Sequence, residues 1–172
     1  MTKAIYPATF DPIHFGHIDI AKRAAAIFDG LIVAVYDQPM KNLLFSIDER
    51  MSLVERALSN IPKLSIVRYG GLTVEYTRQI GAQVIVRGLR VFSDFEFEFR
   101  MALANQRLAT DIETVALITA EQHTFLSSST VREIAMLNGD VSSMVPPYVE
   151  KALKQKLAEM AEHQSPPNAL RD

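Results

Sequence analysis

Cysteine and tryptophan are both absent from the 172-residue chain. Without cysteine there are no disulfides, no thiolate nucleophile and no cysteine-based zinc site, which fits a reducing cytoplasm. No apolar run approaches the ~18–20 residues that span a bilayer, so an integral membrane protein is not expected. The N-terminus, MTKAIYPATFDP, lacks a long apolar segment ahead of a small-residue cleavage site and does not read as a signal peptide. An excess of charge of one sign is also missing: 18 Lys+Arg against 20 Asp+Glu give a formal charge of −2. That balance argues against a nucleic-acid-binding face and leaves room for a local cationic pocket. Neither GxGxxG nor GxxxxGKS/T occurs, so the usual dinucleotide and phosphate-loop fingerprints are absent.

What is present is an ordinary globular composition, 48% hydrophobic and 22% charged, which excludes wholesale disorder. A chain of this length buries roughly two-thirds of its unfolded surface in one domain. Short apolar runs alternate with amphipathic stretches. Ala4-Ile5-Tyr6 reads as a strand stopped by Pro7, and helical spacing runs from Gly16 to Phe28. The continuous run Leu31 to Tyr36 suits a strand covered on both faces, followed by a loop from Asp37 to Phe45. Ser46 and Glu49 have capping-box spacing ahead of a helix. Leu64 to Val67 is a third strand, Val74 to Ile80 a short helix closed by Gly81, and Val84 to Val86 a fourth strand ending at Arg87-Gly88. Ser93 and Glu96 repeat the capping spacing before a helix to about Leu108, which gives Glu96 a structural role and leaves Glu98 without one. Thr114 to Ile118 is the fifth strand. Thr130 and Glu133 cap another helix stopped at Asn138-Gly139, and Pro146-Pro147 starts a last helix from Tyr148 to about Ala161. One Rossmann-like α/β domain over residues 1–162 is expected, a five-stranded parallel sheet with helices on both faces, and residues 163–172 as a disordered tail.

Ligands of such sheets bind outside the carboxyl ends of the strands. Four segments lie there: Thr9 to His17, Asp37 to Phe45, Arg87 to Phe99, and Ala120 to Arg132. The first feeds a helix N-terminus, where free N–H groups and the positive dipole end favour phosphate. Gly16 permits close approach, and His14 and His17, three residues apart, could donate to oxygens that gain charge in a transition state. With no third His or Cys nearby, zinc is a weak alternative, and a surface pair is the bland one. Arg87-Gly88-Leu89-Arg90 places two guanidiniums where phosphate could be held bidentately, unless both are solvated loop residues. Leu126-Ser127-Ser128-Ser129-Thr130-Val131-Arg132 offers more hydroxyls before a helix than capping requires, a second anion cradle. Lys41, alone in its loop, carries no assignment from its residue type.

Taken together, TFDPIHFGH and the distant LSSSTVR resemble the HxGH and ISSTxxR signatures of the nucleotidylyltransferase superfamily. His14, Gly16 and His17 complete the first. Ser127, Ser128 and Arg132 match the second, with Leu126 for Ile and Ser129 for Thr. YPATFDPIHFGHIDI, the Pro39-Met40-Lys41 loop, FSIDER, VRGLR and DFEFE are similar in order and spacing to the bacterial phosphopantetheine adenylyltransferases, over about residues 3 to 160.

The resemblance implies reversible transfer of AMP from ATP to 4′-phosphopantetheine, giving dephospho-coenzyme A and pyrophosphate, by direct in-line attack. It implies that Thr9 touches both substrates and that Phe10, His14, His17, Gly88, Leu89, Arg90 and Glu98 meet ATP. The stretch His123, Thr124, Phe125, Leu126, Ser127, Ser128 and Ser129 meets ATP as well. Lys41, Thr73 and Arg87 would hold phosphopantetheine, and His17, Lys41 and Arg90 would be catalytic. Relatives commonly carry a large aromatic where His123 stands, and often Met or another residue where Thr73 stands. Mg²⁺ with the triphosphate, no metal held by the chain, a homohexamer, coenzyme A as an inhibitor and a cytoplasmic location belong to the same expectation. The rivals are a related enzyme with another acceptor, such as nicotinamide mononucleotide or the acceptor of a cytidylyltransferase, and a non-enzymatic nucleotide-binding regulator. The RGLR and DFEFE block argues against the first, and the intact HxGH against the second.

Overall fold

Five short β-branched and apolar runs pair into one parallel sheet in the computed structural model, which describes residues 1–38 and 42–164. Strands β1 (Lys3–Ala8), β2 (Gly30–Tyr36), β3 (Leu64–Tyr69), β4 (Val84–Leu89) and β5 (Glu113–Ile118) stand in the order β3-β2-β1-β4-β5. Helices α1 (Phe15–Ile27), α2 (Ile47–Leu58), α3 (Thr73–Gln79), α4 (Phe92–Leu108), α5 (Ser128–Met136) and α6 (Pro147–Gln164) complete it, with a short 3-10 turn at Glu121–His123. The period-2 alternation of a strand sends successive side chains to opposite faces. Ala4, Tyr6, Leu31, Val33, Val35, Val84 and Val86 therefore meet α1, α2 and α6 through Ile20, Ala24, Val54, Leu58, Val149 and Leu153. Ile5, Ala34 and Ile85 point the other way, to Val74 of α3 and to Ala109 and Ile112 beyond α4. Helices thus cover both faces, as expected, and each fully buried Leu, Ile or Val contributes about 1.5–3 kcal/mol.

Pro7 does not stop β1, which continues to Ala8 paired with β2. The pairing with β4 covers only Ala4 and Ile5. Beyond them β1 and β4 part, so the donor that proline lacks is not needed there. The Arg87 guanidinium fills the gap by donating to the Pro7 carbonyl at 2.9 Å. This parting falls at the switch point, where chain order reverses between β1 and β4.

Local chemistry sets most helix starts. Glu49 N–H donates to Ser46 Oγ at 3.3 Å and Ser46 N–H to Glu49 Oε2 at 2.7 Å, the reciprocal cap expected of that spacing. Two other expected caps are displaced. Helix α4 starts one residue before Ser93, with Val91 as N-cap, because the Asp94 carboxylate reaches back to the Arg90 N–H at 3.3 Å; Glu96 instead pairs with Arg100 on the exposed surface. Helix α5 is capped by Ser127, whose hydroxyl accepts the Thr130 N–H at 3.0 Å, so Glu133 lies well inside it. Strand β4 runs on through Arg87 and Gly88 to Leu89. The last helix begins at Pro147 and reaches Gln164; the expected tail lies outside the described residues beyond that point.

Candidate functional site

A cavity of about 380 Å³ opens at the carboxyl ends of β1 and β4. Its walls come from the loop between β1 and α1, the end of β4, the first turns of α4 and the start of α5. Three of the four segments singled out in the sequence thus meet in one place.

The two imidazoles form the cap of α1. His14 is the N-cap; the His17 N–H lies 3.4 Å from His14 Nδ1, and the His14 N–H lies 3.3 Å from His17 Nδ1. The rings stack with centroids 3.7 Å apart. Gly16 makes this feasible, since a Cβ there would stand 3.0 Å from the His14 ring. Burial is the first cause that holds His14 far below its ordinary range, at about 3, with Arg90 and His123 adding to it. Burial likewise lowers His17 well below the usual value, followed by His14, Arg90 and Arg87. Both rings are neutral at pH 7. Because each Nδ1 accepts a backbone N–H, each proton resides on Nε2, so the pair offers N–H donors without positive charge. Phe10, in the left-handed region at φ 52° and 1% exposed, buttresses His17 edge-on at 4.9 Å. Such a backbone costs a non-glycine residue about 1–2 kcal/mol, which the packing of this ring must offset.

Around the imidazoles stand three guanidiniums, each matched to a carboxylate. Arg87 grips Glu98 through Nε at 2.8 Å and Nη2 at 2.6 Å. Burial opposes its charge, but these bonds hold its pKa above the ordinary value. Arg90 pairs with Asp94 through Nε at 2.9 Å and donates to the Leu126 carbonyl at 2.5 Å. Arg132 donates to the main-chain carbonyl of Asp11 and to its Oδ2 at 3.2 Å. Arg87 and Arg90 each commit three of the five donors of a guanidinium and keep two for a ligand. At the start of α5, the Ser128 hydroxyl donates to the Pro12 carbonyl at 2.8 Å, and the Ser128 and Ser129 N–H groups, in the first turn of the helix, have no protein partner among the described residues. Unfilled N–H groups at a helix start are a site for an anion.

Of the residues expected at the site, Thr9, Phe10, His14, His17, Arg87, Gly88, Arg90, Glu98 and Leu126 to Ser129 all line this cavity. Leu89, Thr124, Phe125 and His123 do not; His123 lies beside the start of α1, with its ring 6.4 Å from that of Phe15. Thr73 is also away from the wall, at the start of α3, where its hydroxyl meets Tyr69 Oη at 3.1 Å. Lys41 lies outside the described residues.

Three contributors escaped residue-by-residue assignment. Asp11, 1% exposed, accepts the Leu44 and Phe45 N–H groups, both at 2.9 Å, and so ties the loop after β2 to the loop after β1. Asp94 occupies Arg90. Arg50, read only as part of α2, is 1% exposed and donates to the carbonyls of Thr9 and Tyr36, both at 2.7 Å, pinning the ends of β1 and β2.

A parallel α/β sheet with an anion-binding cleft at its switch point is the class that this geometry defines. The cytidylyltransferase-like family matches residues 5–134. A phosphopantetheine adenylyltransferase of Roseiflexus castenholzii is 53% identical over 155 residues, 90% of this chain and 97% of its own. One from Thermotoga neapolitana is 49% identical over 156 residues, 91% of this chain and 97% of its own. A solved chain from Vibrio parahaemolyticus, described as a nicotinate-nucleotide adenylyltransferase, matches with a TM-score of 0.66 at 19% identity, over 90% of this chain and 99% of that one, and so shares the fold. The chain belongs to the cytidylyltransferase-like family and, within it, to the phosphopantetheine adenylyltransferases.

Proposed function

We propose that the chain catalyses the reversible transfer of the adenylyl group of ATP to 4′-phosphopantetheine, giving dephospho-coenzyme A and pyrophosphate, a step of coenzyme A biosynthesis. The observation that carries this is the single cavity in which the TFDPIHFGH loop and the LSSSTVR turn converge, in a chain about half identical to enzymes of that name.

In this scheme a phosphate oxygen of phosphopantetheine attacks the α-phosphorus of ATP. The bond from that phosphorus to the bridging oxygen breaks, and its electron pair leaves with pyrophosphate. The nucleophile is already an anion, so no general base is needed, and catalysis consists of bringing two anions together and stabilising the equatorial oxygens. Nε2–H of His17, with His14 beside it, donates to those oxygens, and Arg90 and the start of α5 hold the triphosphate. Arg87, Thr9, Thr73 and Lys41 take the acceptor, with Lys41 supplying charge between the two phosphates. Gly88, Leu89, Glu98 and the stretch 123–129 complete the nucleotide side. Mg²⁺ enters as part of the MgATP substrate. The carboxylates that line the cavity, Asp11, Asp94 and Glu98, are each engaged by arginine, and no cluster of three metal-ligating groups occurs among the described residues. Phosphate oxygens and water are proposed as its ligands.

Coenzyme A carries both the pantetheine and the adenylyl portions of the product and is proposed as a competing inhibitor at this cavity. No described helix is long and apolar enough to cross a membrane, and a cytoplasmic location is proposed. A homohexamer is proposed from family resemblance and from the exposed phenylalanines of α4: Phe92 is 88% exposed, and Phe95 stacks on Phe99 at 5.8 Å. Light scattering tests the assembly. The function is tested by mixing protein, MgATP and either phosphopantetheine or nicotinamide mononucleotide and measuring pyrophosphate. Release with phosphopantetheine alone is expected. Release with nicotinamide mononucleotide alone would assign another acceptor, and ATP binding without release would make the chain a regulator.

A further inference from the structure

Tyr6 lies on β1 beneath the site, 5% exposed, and lines the same cavity. Its ring is fixed edge-on against Phe10 at 5.7 Å and tilted against His17 at 6.5 Å. A tyrosine this deeply packed ordinarily bonds its hydroxyl to a protein group. Among the described residues this hydroxyl has no such partner. Nor is it sealed in, as are Asp37 Oδ1 and Arg50 Nε, the buried side-chain atoms left without one, so it opens on the cavity. The neighbouring residue, Pro7, gives its carbonyl to Arg87, which anchors that guanidinium in the gap between β1 and β4, on the wall of the cavity that Tyr6 also lines.

We propose that the Tyr6 hydroxyl is a further binding group of the site, donating a hydrogen bond to the phosphate of the acceptor held at Arg87. This rests on the adenylyl-transfer function proposed above. Burial raises the phenol well above its ordinary value, with Arg87 and then Arg90 opposing, so the group stays protonated and remains a donor. A phosphate beside Arg87 is the acceptor that its position offers.

Tyr6→Phe removes one oxygen and keeps the ring contacts with Phe10 and His17. Calorimetric titration with 4′-phosphopantetheine should show a dissociation constant raised about tenfold or more, the usual cost of one hydrogen bond to a charged group. The constants for ATP and for pantetheine lacking the phosphate should stay within about twofold, as should turnover at saturation, which marks a contact made equally before and during reaction. A variant that binds phosphopantetheine like the parent would leave the hydroxyl idle and overturn the assignment. So would weakening of ATP alone, or equal weakening of pantetheine and phosphopantetheine, which would indicate a packing role. A parent that forms no dephospho-coenzyme A would instead overturn the adenylyl-transfer function itself. An active parent with an indifferent Tyr6→Phe would overturn only the role of Tyr6.

Discussion

Replacing His17 separates its capping of α1 from the proposed donation to phosphate. His17→Ala removes the Nδ1 that accepts the His14 N–H at 3.3 Å and half of the 3.7 Å ring stack. Losing a cap acceptor costs about 1 kcal/mol of stability. Losing a preorganised donor to developing charge costs about 3–4 kcal/mol of barrier, or about 10²–10³ in turnover. Glutamate at this third helical position is the usual partner in a capping box, so His17→Glu should recover the stability, because its carboxylate can accept the His14 N–H. It offers no donor at pH 7 and adds a charge that repels phosphate, so its rate should be no higher than that of the alanine variant. Thermal unfolding reports the first effect. Single-turnover formation of dephospho-coenzyme A at saturating substrates reports the second, free of binding. An alanine variant within a factor of a few of the parent, or a glutamate variant that regains rate together with stability, would show that His17 serves the helix and not the chemistry.

Three further outcomes are expected. His14 is held at about 3 in the fold against 6.5 when unfolded, so below pH 6.5 the unfolded chain binds the extra proton and stability falls as pH falls. From pH 6.5 to 5 that loss is about 2 kcal/mol for His14, with His17 acting in the same direction, and urea unfolding at pH 7 and pH 5 should show it; equal stabilities would contradict buried neutral imidazoles. Arg87→Ala should raise the acceptor KM more than it weakens ATP, and it also leaves Glu98 unpaired facing phosphate; adding Glu98→Gln should therefore restore acceptor affinity about tenfold or more, and a double variant no better than the single one would mean Glu98 imposes no repulsion. Asp11→Asn turns an amide N–H₂ toward the Leu44 or Phe45 N–H and takes the charge partner from Arg132, so unfolding should show about 2–4 kcal/mol lost; a change under about 0.5 kcal/mol would make the tie between the two loops incidental.

Where a feature rests on neighbours in sequence, the residues announced it. The Ser46–Glu49 cap, the continuous run of β2 and the switch-point position of the motif loops all follow from local spacing. Where a feature rests on a distant partner, local spacing misled. Ser93 and Glu96 have the right separation for a cap, yet α4 starts where Asp94 can hold Arg90, a residue it needs because Arg90 also reaches the Leu126 carbonyl 36 positions away. Pro7 reads as a strand breaker only if the strand on that side demands its missing donor, and only the three-dimensional order of strands shows that β4 has already turned aside. Arg50 illustrates the limit: a charged residue on an amphipathic helix looks solvated until the ends of β1 and β2 supply two carbonyls for it.

The pairing of charges in the cleft bears on how it can hold two phosphate-bearing substrates at once. Arg87, Arg90 and Arg132 are matched one for one by Glu98, Asp94 and Asp11, and the imidazoles carry no charge, so the described walls are close to neutral. A neutral wall does not repel its own ligand, but neither does it offset the repulsion between two anions brought into contact, which grows as water leaves. What the walls do supply is direction: unspent guanidinium donors, Nε2–H groups and the first N–H groups of α5, all fixed before a ligand arrives. Net positive charge must then come with the substrates or from outside the described walls. Asp11, by gripping the Leu44 and Phe45 N–H groups, fastens the loop after β2 to the histidine-bearing one. Residues 44 and 45 are thus anchored to the loop that carries the imidazole donors, whose aim is set before any charge arrives with the substrates.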